Sequence, residues 1–324
     1  MLLTDDARAI YVGSTPVRKV YVGSTQVWTC PIFPQADWLY TPIPSSPALD
    51  VSSSTWAGYL TSGEHSFDGY EYAVKVVGYN SVTGSTPRYD VAFTNVPGWG
   101  PDPYGSDTVP VPAGTTVPPG SDSHLAVIDP INNKVYGMWQ AVYSGGNWTA
   151  SWGGVADLDG NGMDTGGSAR AARLSLAAGI IGADELDKAV TYNTGLNHAL
   201  YVSCDCTSKM FVYPAQESDG DNAAAVARPI PQGKRLQLDP SVNVDAISGI
   251  TAAEKVVAKT LQTHGAYIID KGGARLAFFG ELQPDGAPGD PGAAYTTHGL
   301  EWDYYDMNKI PWANIRVLRN WDGS

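Results

Sequence analysis

The sequence predicts a mainly β fold: an antiparallel β-sandwich or jelly roll with one clear helix, preceded by a small N-terminal β-hairpin. Short runs rich in Val, Ile and Tyr recur along the chain, and these residue types favour strands. Turn-forming residues separate the runs, with 36 glycines and 23 prolines among 324 residues. Only one segment combines helix caps with helical apolar spacing, so strands are expected to dominate.

The first strands are predicted in a repeat at the N-terminus. The block YVGST occurs at residues 11–15 and again at residues 21–25, ten residues apart. Because Val and Tyr favour strands and Gly-Ser-Thr ends them, ten residues correspond to one strand plus one turn. Residues 8–28 therefore predict a hairpin or small meander. Such a unit is too small to bury a core alone and must pack on the rest of the chain or on a partner.

Three regions are predicted: the N-terminal hairpin (residues 1–30), a spacer (residues 31–50) and the β-sandwich body (residues 51–324). The spacer holds five prolines, which favour a stiff, extended chain. In the body, strands are predicted for YEYAVKVVGY, RYDVAFTNV, HLAVIDP, KVYGMWQAVY, NWTASWGGVADL, HALYVSC, KMFVYPA and NIRVL. AYIID and ARLAFFGEL predict a hairpin across the turn KGG. Residues 96–123, rich in Pro and Gly, predict a long loop that is functional or covers another part of the fold.

The clear helix is predicted for ITAAEKVVAKTLQTHG. Thr251, followed three residues later by Glu254, is typical of a capping box at a helix N-terminus. Val257 belongs to the apolar face, and Gly265 suits the C-terminal cap. Shorter helical turns are expected in the Ala-rich residues 168–190.

Charge narrows the classes of partner. The formal net charge is −13 at pH 7, which repels a phosphate backbone, so nucleic acid is excluded as a partner and anionic membrane surfaces are disfavoured. Neutral glycans and glycolipids remain. No run of about 18 apolar residues occurs that would predict a membrane span. The first residues, MLLTDDARAI, lack the basic and apolar regions of a signal peptide.

The three cysteines, Cys30, Cys204 and Cys206, are too few for a disulfide scaffold. Cys204 and Cys206 would point to the same side of a strand, where a bridge between them would be strained. A zinc site would need two further ligands, which no motif supplies. The sequence therefore predicts free thiols.

The stretch AIYVGSTPVRKVYVGSTQVW resembles the N-terminal segment of minor tail proteins of actinobacterial phages, mycobacteriophages among them. The resemblance covers residues 1–30. It implies an attachment module for the phage tail tip, with tail-tip proteins as partners. It also implies threefold packing, and thus a homotrimer, and a location in the virion, at the tail tip.

Several pieces of the body resemble segments of secreted actinobacterial and other bacterial proteins. These pieces are VPVPAGTTVPPGSDSHLAVIDPINNKVYGMWQAV, HALYV, RPIPQGKRLQL and KTLQTHGAYIIDKGG. This resemblance implies no reaction and no catalytic residue. Joined to a tail-attachment segment, it implies a receptor-binding protein that meets the bacterial cell envelope during host adsorption, with a glycan or glycolipid as the receptor.

The candidate ligand-binding residues are Asp122, His124, Trp139, Gln140, Trp152 and His198. His124 opens a predicted strand two residues after Asp122, so the two side chains are expected to converge at a sheet edge. His198 begins another strand and can approach the same edge. Aromatic faces beside amides suit sugar rings. The alternative is structural: core tryptophans, and a histidine oriented by a carboxylate.

DLDGNG, at residues 157–162, resembles a calcium loop of the pattern D-x-D-x-N-G. Oxygen ligands at alternate positions with a glycine for the sharp turn suit Ca²⁺. The twelfth position is Ser168 rather than the bidentate glutamate, and Asp164 is the substitute. The candidate ligands are Asp157, Asp159, Asn161 and Asp164. The alternative is a polar turn held by side-chain to backbone hydrogen bonds.

Binding is favoured over catalysis because the chain lacks the G-x-S-x-G, H-E-x-x-H, P-loop and dinucleotide motifs. Two alternatives remain open. The first is a tail-associated enzyme that cleaves envelope glycan, which needs two carboxyl groups at a defined separation. Its candidates are Asp157, Asp159, Glu281, Glu301 and Asp303. The second is a purely structural tail component without a ligand.

Overall fold

The computed structural model describes residues 32–222 and 229–320, together with the backbone of strands between Ile10 and Thr29. The strands are β1 Ile10–Val12, β2 Thr15–Val17, β3 Lys19–Val22, β4 Thr25–Thr29, β5 His65–Asp68, β6 Lys75–Val77, β7 Arg88–Tyr89, β8 Ala92–Phe93, β9 Val109–Pro110, β10 Leu125–Asp129, β11 Lys134–Trp139, β12 Val142–Ser144, β13 Asn147–Ala150, β14 Trp152–Asp157, β15 Leu200–Cys204, β16 Thr207–Phe211, β17 Ile230–Gln232, β18 Arg235–Leu238, β19 Ala266–Lys271, β20 Leu276–Phe279, β21 Tyr305–Asp306 and β22 Ile315–Val317. The α-helices are α1 Asp37–Tyr40, α2 Ser53–Leu60, α3 Ala183–Tyr192, α4 Ala252–Thr263 and α5 Ala293–Thr296, and short 3₁₀ helices form at Val244–Ala246 and Trp312–Asn314.

The mainly β class is confirmed, since strand residues outnumber helical residues in the described structure. The finer prediction, an antiparallel sandwich or jelly roll, is not confirmed. The largest sheet has seven strands in the order β21-β5-β20-β15-β19-β18-β22. Two neighbouring pairs, β5 with β20 and β15 with β19, are parallel, and the others are antiparallel. Parallel neighbours need long crossover connections, which leave no hairpin signal in the sequence.

The predicted hairpin between AYIID and ARLAFFGEL is wrong. The two stretches form β19 and β20, but β15 lies between them in the sheet. Val202 of β15 is opposite Ile268 of β19 in parallel register and opposite Phe278 of β20 in antiparallel register. Continuous burial along β15 and β20 shows that both faces of these strands are covered. Apolar strands of this kind pair with whichever strand the whole core places beside them, not with their nearest neighbour in sequence.

Helices cover one face of the seven-stranded sheet. Val202, Ile268 and Phe278 on that face share a core with Val257 of α4 and Leu186 of α3. The opposite face belongs to a second core. There Tyr201, Tyr267 and Ile269 of the sheet pack with residues of a long loop and of a four-stranded sheet, in the order β14-β11-β10-β6. A third core lies on the far side of this smaller sheet.

The predicted helix is confirmed as α4, with Thr251 as its N-cap. The Glu254 amide donates to Thr251 Oγ1 at 3.1 Å, and the Thr251 amide donates to Glu254 Oε2 at 2.9 Å, which completes the capping box. Gly265 ends the helix at φ +72°, and its amide donates to Thr260 O at 2.8 Å. A Cβ at this position would lie 2.3 Å from Leu236 O, so glycine is required there.

The N-terminal repeat forms two antiparallel strand pairs. β1 pairs with β2, and β3 pairs with β4. Each copy of YVGST therefore spans both strands of one pair, and the ten-residue period corresponds to a strand pair rather than to one strand and one turn. The side chains of this segment, including its Tyr and Val face and Cys30, lie outside the described residues.

The segment predicted as a spacer packs into the body. Phe33, Trp38 and Leu39 are buried in the second core. The Trp38 ring is parallel to the Tyr201 ring with centroids 6.2 Å apart, and it meets the Tyr267 ring edge-on at 5.6 Å. The segment packs into the core despite its prolines, because burying the Trp38 ring stabilises the fold more than leaving the segment extended in solvent would.

The free-thiol prediction is wrong for Cys204 and Cys206, which form a disulfide. Strand β15 ends at Cys204, and a turn at Asp205 and Cys206 precedes β16. The Cα atoms are 5.3 Å apart, within the usual range for a disulfide, because the turn breaks the strand geometry that the prediction assumed.

Among the described helices, none is both long enough and apolar enough to cross a membrane.

Two truncations test the packing of residues 32–50. We expect the chain without residues 1–30 to melt at the temperature of the full chain. Removal of residues 1–50 should destabilise the body strongly, and Trp38→Ala alone should cost about 3–5 kcal/mol of unfolding free energy. Thermal unfolding followed by circular dichroism measures this, with Trp302→Ala, at a residue 47% exposed, as the control. Equal melting temperatures for the two truncations would contradict the assignment.

Candidate functional site

A cleft of about 1150 Å³ opens where the second core leaves part of the seven-stranded sheet uncovered. Alternate residues of the sheet line its floor, among them Ser66 and Asp68 of β5 and Asp270 of β19. The chain before β10, the adjoining ends of β11 and β14, and residues 168–171 also line the cleft. The cleft thus lies at the junction of the two sheets, where loops can bring distant side chains together.

One wall of the cleft is aromatic. The rings of Trp99 and Trp139 are nearly parallel, with centroids 5.8 Å apart, and Trp152 meets Trp99 edge-on at 5.8 Å. Trp139 Nε1 donates to Asp122 Oδ1 at 3.0 Å, which fixes the orientation of the indole. Trp99 is 59% exposed, whereas Trp152 is 9% exposed. Trp99 therefore offers the accessible aromatic surface, and Trp139 and Trp152, whose rings contact Trp99, support it.

A buried ion pair lies at the floor. Arg170 Nη1 donates to Asp270 Oδ2 at 2.9 Å, and the Arg170 side chain is 1% exposed. The guanidinium lies 3.9 Å from the centroid of the Phe279 ring. The Ala171 amide donates to Asp270 Oδ1 at 2.7 Å. Burial raises the pKa of Asp270 to about 7, although Arg170 and the Ala171 amide both favour the carboxylate.

Asp68 is the second buried carboxyl group of the cleft. Burial raises its pKa to about 7, and the carboxylates of Asp303 and Glu64 act in the same direction. The Ser66 hydroxyl donates to Asp68 Oδ1 at 2.9 Å, and Arg170 opposes the rise in pKa. Near neutral pH, Asp68 therefore exchanges between its acid and carboxylate forms, a property that is common at functional sites.

His124 is neutral at physiological pH. Burial and the positive charge of Arg170 hold the pKa of this histidine well below its usual range. Its Nε2 lies 3.2 Å from Ala169 O. A carbonyl oxygen can only accept, so Nε2 carries the proton and Nδ1 presents a lone pair.

The cleft brings together four of the six predicted ligand-binding residues: Asp122, His124, Trp139 and Trp152. Gln140 is not among the lining residues, and its Oε1 accepts from Ser151 Oγ at 2.6 Å. His198 lies elsewhere, beside the first turn of α3, with Nε2 at 3.1 Å from both carboxylate oxygens of Glu185. Burial opposes charge on His198, but Glu185 raises its pKa.

The predicted calcium ligands have other partners. Asp157 forms an ion pair with Lys134 at 2.8 Å, and Asp159 Oδ1 accepts from Asn133 at 2.6 Å. Asn161 Oδ1 accepts from the Met163 amide at 3.2 Å. Asp164 is buried and accepts from Ser168 Oγ at 2.6 Å. These contacts match a polar turn, and calcium at this loop stays a prediction without structural support.

One group of possible metal ligands occurs in the described part of the chain: Cys204, Asp205 and Cys206. The disulfide removes both thiolates from that group.

Of the carboxyl groups predicted for catalysis, Asp303 accepts from the amides of Gly69, Tyr70 and Glu71 and so orders the chain after β5. None of the five predicted carboxyl groups lines the cleft.

Sequence reasoning missed the residues at the centre of the cleft: Asp68, Arg170 and Asp270. These residues come from β5, a loop and β19, which are far apart in sequence, and no motif links them. Trp99 could have been found from the sequence, because it lies in the long loop predicted to be functional.

Comparison with protein-family models, with curated proteins and with solved structures finds no match for the chain.

The buried Asp164 predicts a pH dependence of stability. Burial raises its pKa to about 7, so the native state keeps a proton that the unfolded chain releases above about pH 4. Its stabilising contribution is complete at low pH and is lost as the pH rises through 7. Between pH 6.5 and pH 8, the free energy of unfolding should therefore fall by about 1 kcal/mol less in Asp164→Asn than in the wild type.

Urea unfolding at the two pH values measures this difference. Asp157→Asn is the matched control, since Asp157 lies close in sequence but is exposed on the surface. The same loss of stability in Asp164→Asn and in the wild type would show that Asp164 is ionised in the native state at both pH values.

Proposed function

We propose that the chain is a phage tail protein that binds a neutral glycan or glycolipid of the bacterial cell envelope during host adsorption, and that the cleft is the binding site. The resemblance of residues 1–30 to tail-attachment segments supports the first part. The tail-tip partners, the homotrimer and the location in the virion rest on the same resemblance and belong to the proposal.

The observation that carries the binding site is the pairing of an exposed aromatic wall with a buried polar floor. Trp99, which is 59% exposed and stacks on Trp139, offers ring surface to the C–H face of a sugar. Asp68, His124 and Arg170 offer hydrogen-bonding groups for hydroxyls. Carbohydrates present both kinds of surface on one ring, so this combination suits them better than it suits a purely apolar or purely ionic ligand.

Charge in the cleft favours a neutral ligand over an anionic one. The cationic side chains that line it are Arg170, which is already paired with Asp270, and Lys271. The acidic side chains that line it are Glu64, Asp68, Asp122, Glu217, Asp219 and Asp270. An anionic glycan would be repelled by this excess of carboxylates and by the net charge of the chain.

The second candidate function is cleavage of the glycan, and Asp68 is the observation that favours it. A buried carboxyl group with a pKa of about 7 in a cleft suits a general acid. In that case, Asp68→Asn should abolish the release of reducing sugar ends from envelope polysaccharide and leave the thermal stability intact. If the wild-type protein releases none, the binding function is favoured.

A pair of tryptophan variants tests the binding site. Because Trp99 is 59% exposed, Trp99→Ala should keep the melting temperature within a few degrees and reduce binding to host cells about tenfold or more. Trp302→Ala is the control, since Trp302 is also exposed but does not line the cleft.

Two assays measure this effect. The first is binding of the purified protein to intact host cells, and the second is inhibition of phage adsorption by the purified protein. Binding of the wild type should change little between low and moderate salt. Loss of binding with added salt would indicate an ionic receptor instead, and equal binding by both tryptophan variants would remove the cleft from the proposal.

A further inference from the structure

Three side chains at the floor of the cleft have hydrogen-bonding capacity that the described residues do not use. They are Asp68, His124 and Arg170, and all three line the cleft. Each is at least nine-tenths buried, with 6%, 3% and 3% of its surface exposed, respectively. The guanidinium of Arg170 lies 3.9 Å from the centroid of the Phe279 ring, and Phe279 is opposite Asp68 in the pairing of β20 with β5. His124 Nε2 lies 3.2 Å from the carbonyl oxygen of Ala169, the residue before Arg170.

Arg170 uses one of its three nitrogens. Nη1 donates to Asp270, whereas Nε and Nη2 have no hydrogen-bond partner among the described residues. The N–H groups on Nε and Nη2 are parallel and lie in the guanidinium plane, so they form a fork for two neighbouring acceptor oxygens. The Asp270 pair and the Phe279 ring hold this plane in place.

His124 and Asp68 add complementary groups. His124 Nδ1 is a lone-pair acceptor without a hydrogen-bond partner among the described residues. Asp68 receives a hydrogen bond from Ser66 on Oδ1, and the described residues give Oδ2 none. The floor therefore holds two parallel donors and one acceptor, which are enclosed and have no hydrogen-bond partner among the described residues, and one carboxyl oxygen that can act in either sense.

Two adjacent hydroxyl groups match this set. Each hydroxyl oxygen can accept from one arm of the Arg170 fork while its own proton is donated to His124 Nδ1 or to Asp68. A carboxylate could also accept from the fork, but it has no proton for His124 and would add negative charge beside Asp68 and Asp270. An ammonium group has no acceptor for the fork.

We propose that Arg170, His124 and Asp68 form a subsite that binds two adjacent hydroxyl groups of a neutral sugar. The inference rests on the proposed function, because it names the part of the glycan that the cleft recognises. The tryptophan wall contacts the sugar face in the same cleft, and the subsite selects sugars by their hydroxyl pattern.

A glycan array probed with the full chain tests the substrate class. The array carries neutral, carboxylate-bearing and amine-bearing sugars, each before and after treatment with periodate followed by borohydride. Periodate breaks the carbon–carbon bond between adjacent hydroxyl groups, so it removes the proposed ligand group and leaves isolated hydroxyls. We expect the bound sugars to be neutral and the treatment to abolish their binding.

Arg170→Lys tests the residue. Lysine keeps the positive charge beside Asp270 but lacks the fork, so binding of the neutral glycan should fall about tenfold. Arg88→Lys is the matched control, since Arg88 pairs with the buried Asp129 at 2.7 Å and does not line the cleft. Thermal melting of both variants checks that they fold, and His124→Ala, which removes the lone-pair acceptor, repeats the test if Arg170→Lys unfolds.

The outcomes separate the two proposals. If the wild type binds no glycan on the array or on host cells, the proposed function fails. If it binds glycans that survive periodate, or that require a carboxylate, the function stands and the hydroxyl-pair subsite is overturned. The hydroxyl-pair subsite would also be overturned if Arg170→Lys and His124→Ala both fold and bind the glycan as well as the wild type does.

Discussion

The pair between Arg170 and Asp270 is the constraint on which the cleft depends. A buried guanidinium is costly unless it is paired, and Asp270 at 2.9 Å supplies the partner from the seven-stranded sheet. The same carboxylate holds the Ala171 amide, and the next amide, of Ala172, bonds Ile269 O. The loop is thereby tied along β19, and its apolar residues Leu174 and Leu176 join the core shared with the smaller sheet.

The chemistry of the cleft follows from this junction of two sheets. The larger sheet contributes short polar side chains on the face that its helices do not cover, including Ser66 and Asp68. The smaller sheet contributes the ends of β11 and β14, where Trp139 and Trp152 leave the core. Polar and aromatic surfaces meet in the cleft because the packed core of each sheet stops at this junction. This arrangement needs no motif, since packing alone brings the residues together.

The N-terminal part of the described chain has a second structural role. Trp38 stacks on Tyr201 and meets Tyr267, two residues of the seven-stranded sheet. Its Nε1 donates to Asn161 O at 3.0 Å, so it also holds the loop of the predicted calcium pattern. The loop keeps its turn through these contacts and through Asp164, whose carboxyl group is enclosed in the core. A segment that reads as a linker in sequence thus closes the second core.

Local sequence patterns were sufficient to predict most strands, and α4 with its caps, because strand propensity and capping depend on neighbouring residues. The same kind of local pattern also predicted four residues that line the cleft, Asp122, His124, Trp139 and Trp152, which are close in sequence around one set of strands. The order of the strands, the disulfide and the polar floor of the cleft, in contrast, depend on the packing of the whole chain. Asp68, Arg170 and Asp270 come from segments up to about 200 residues apart. Their meeting depends on burial and charge pairing across the whole core, which no local pattern encodes.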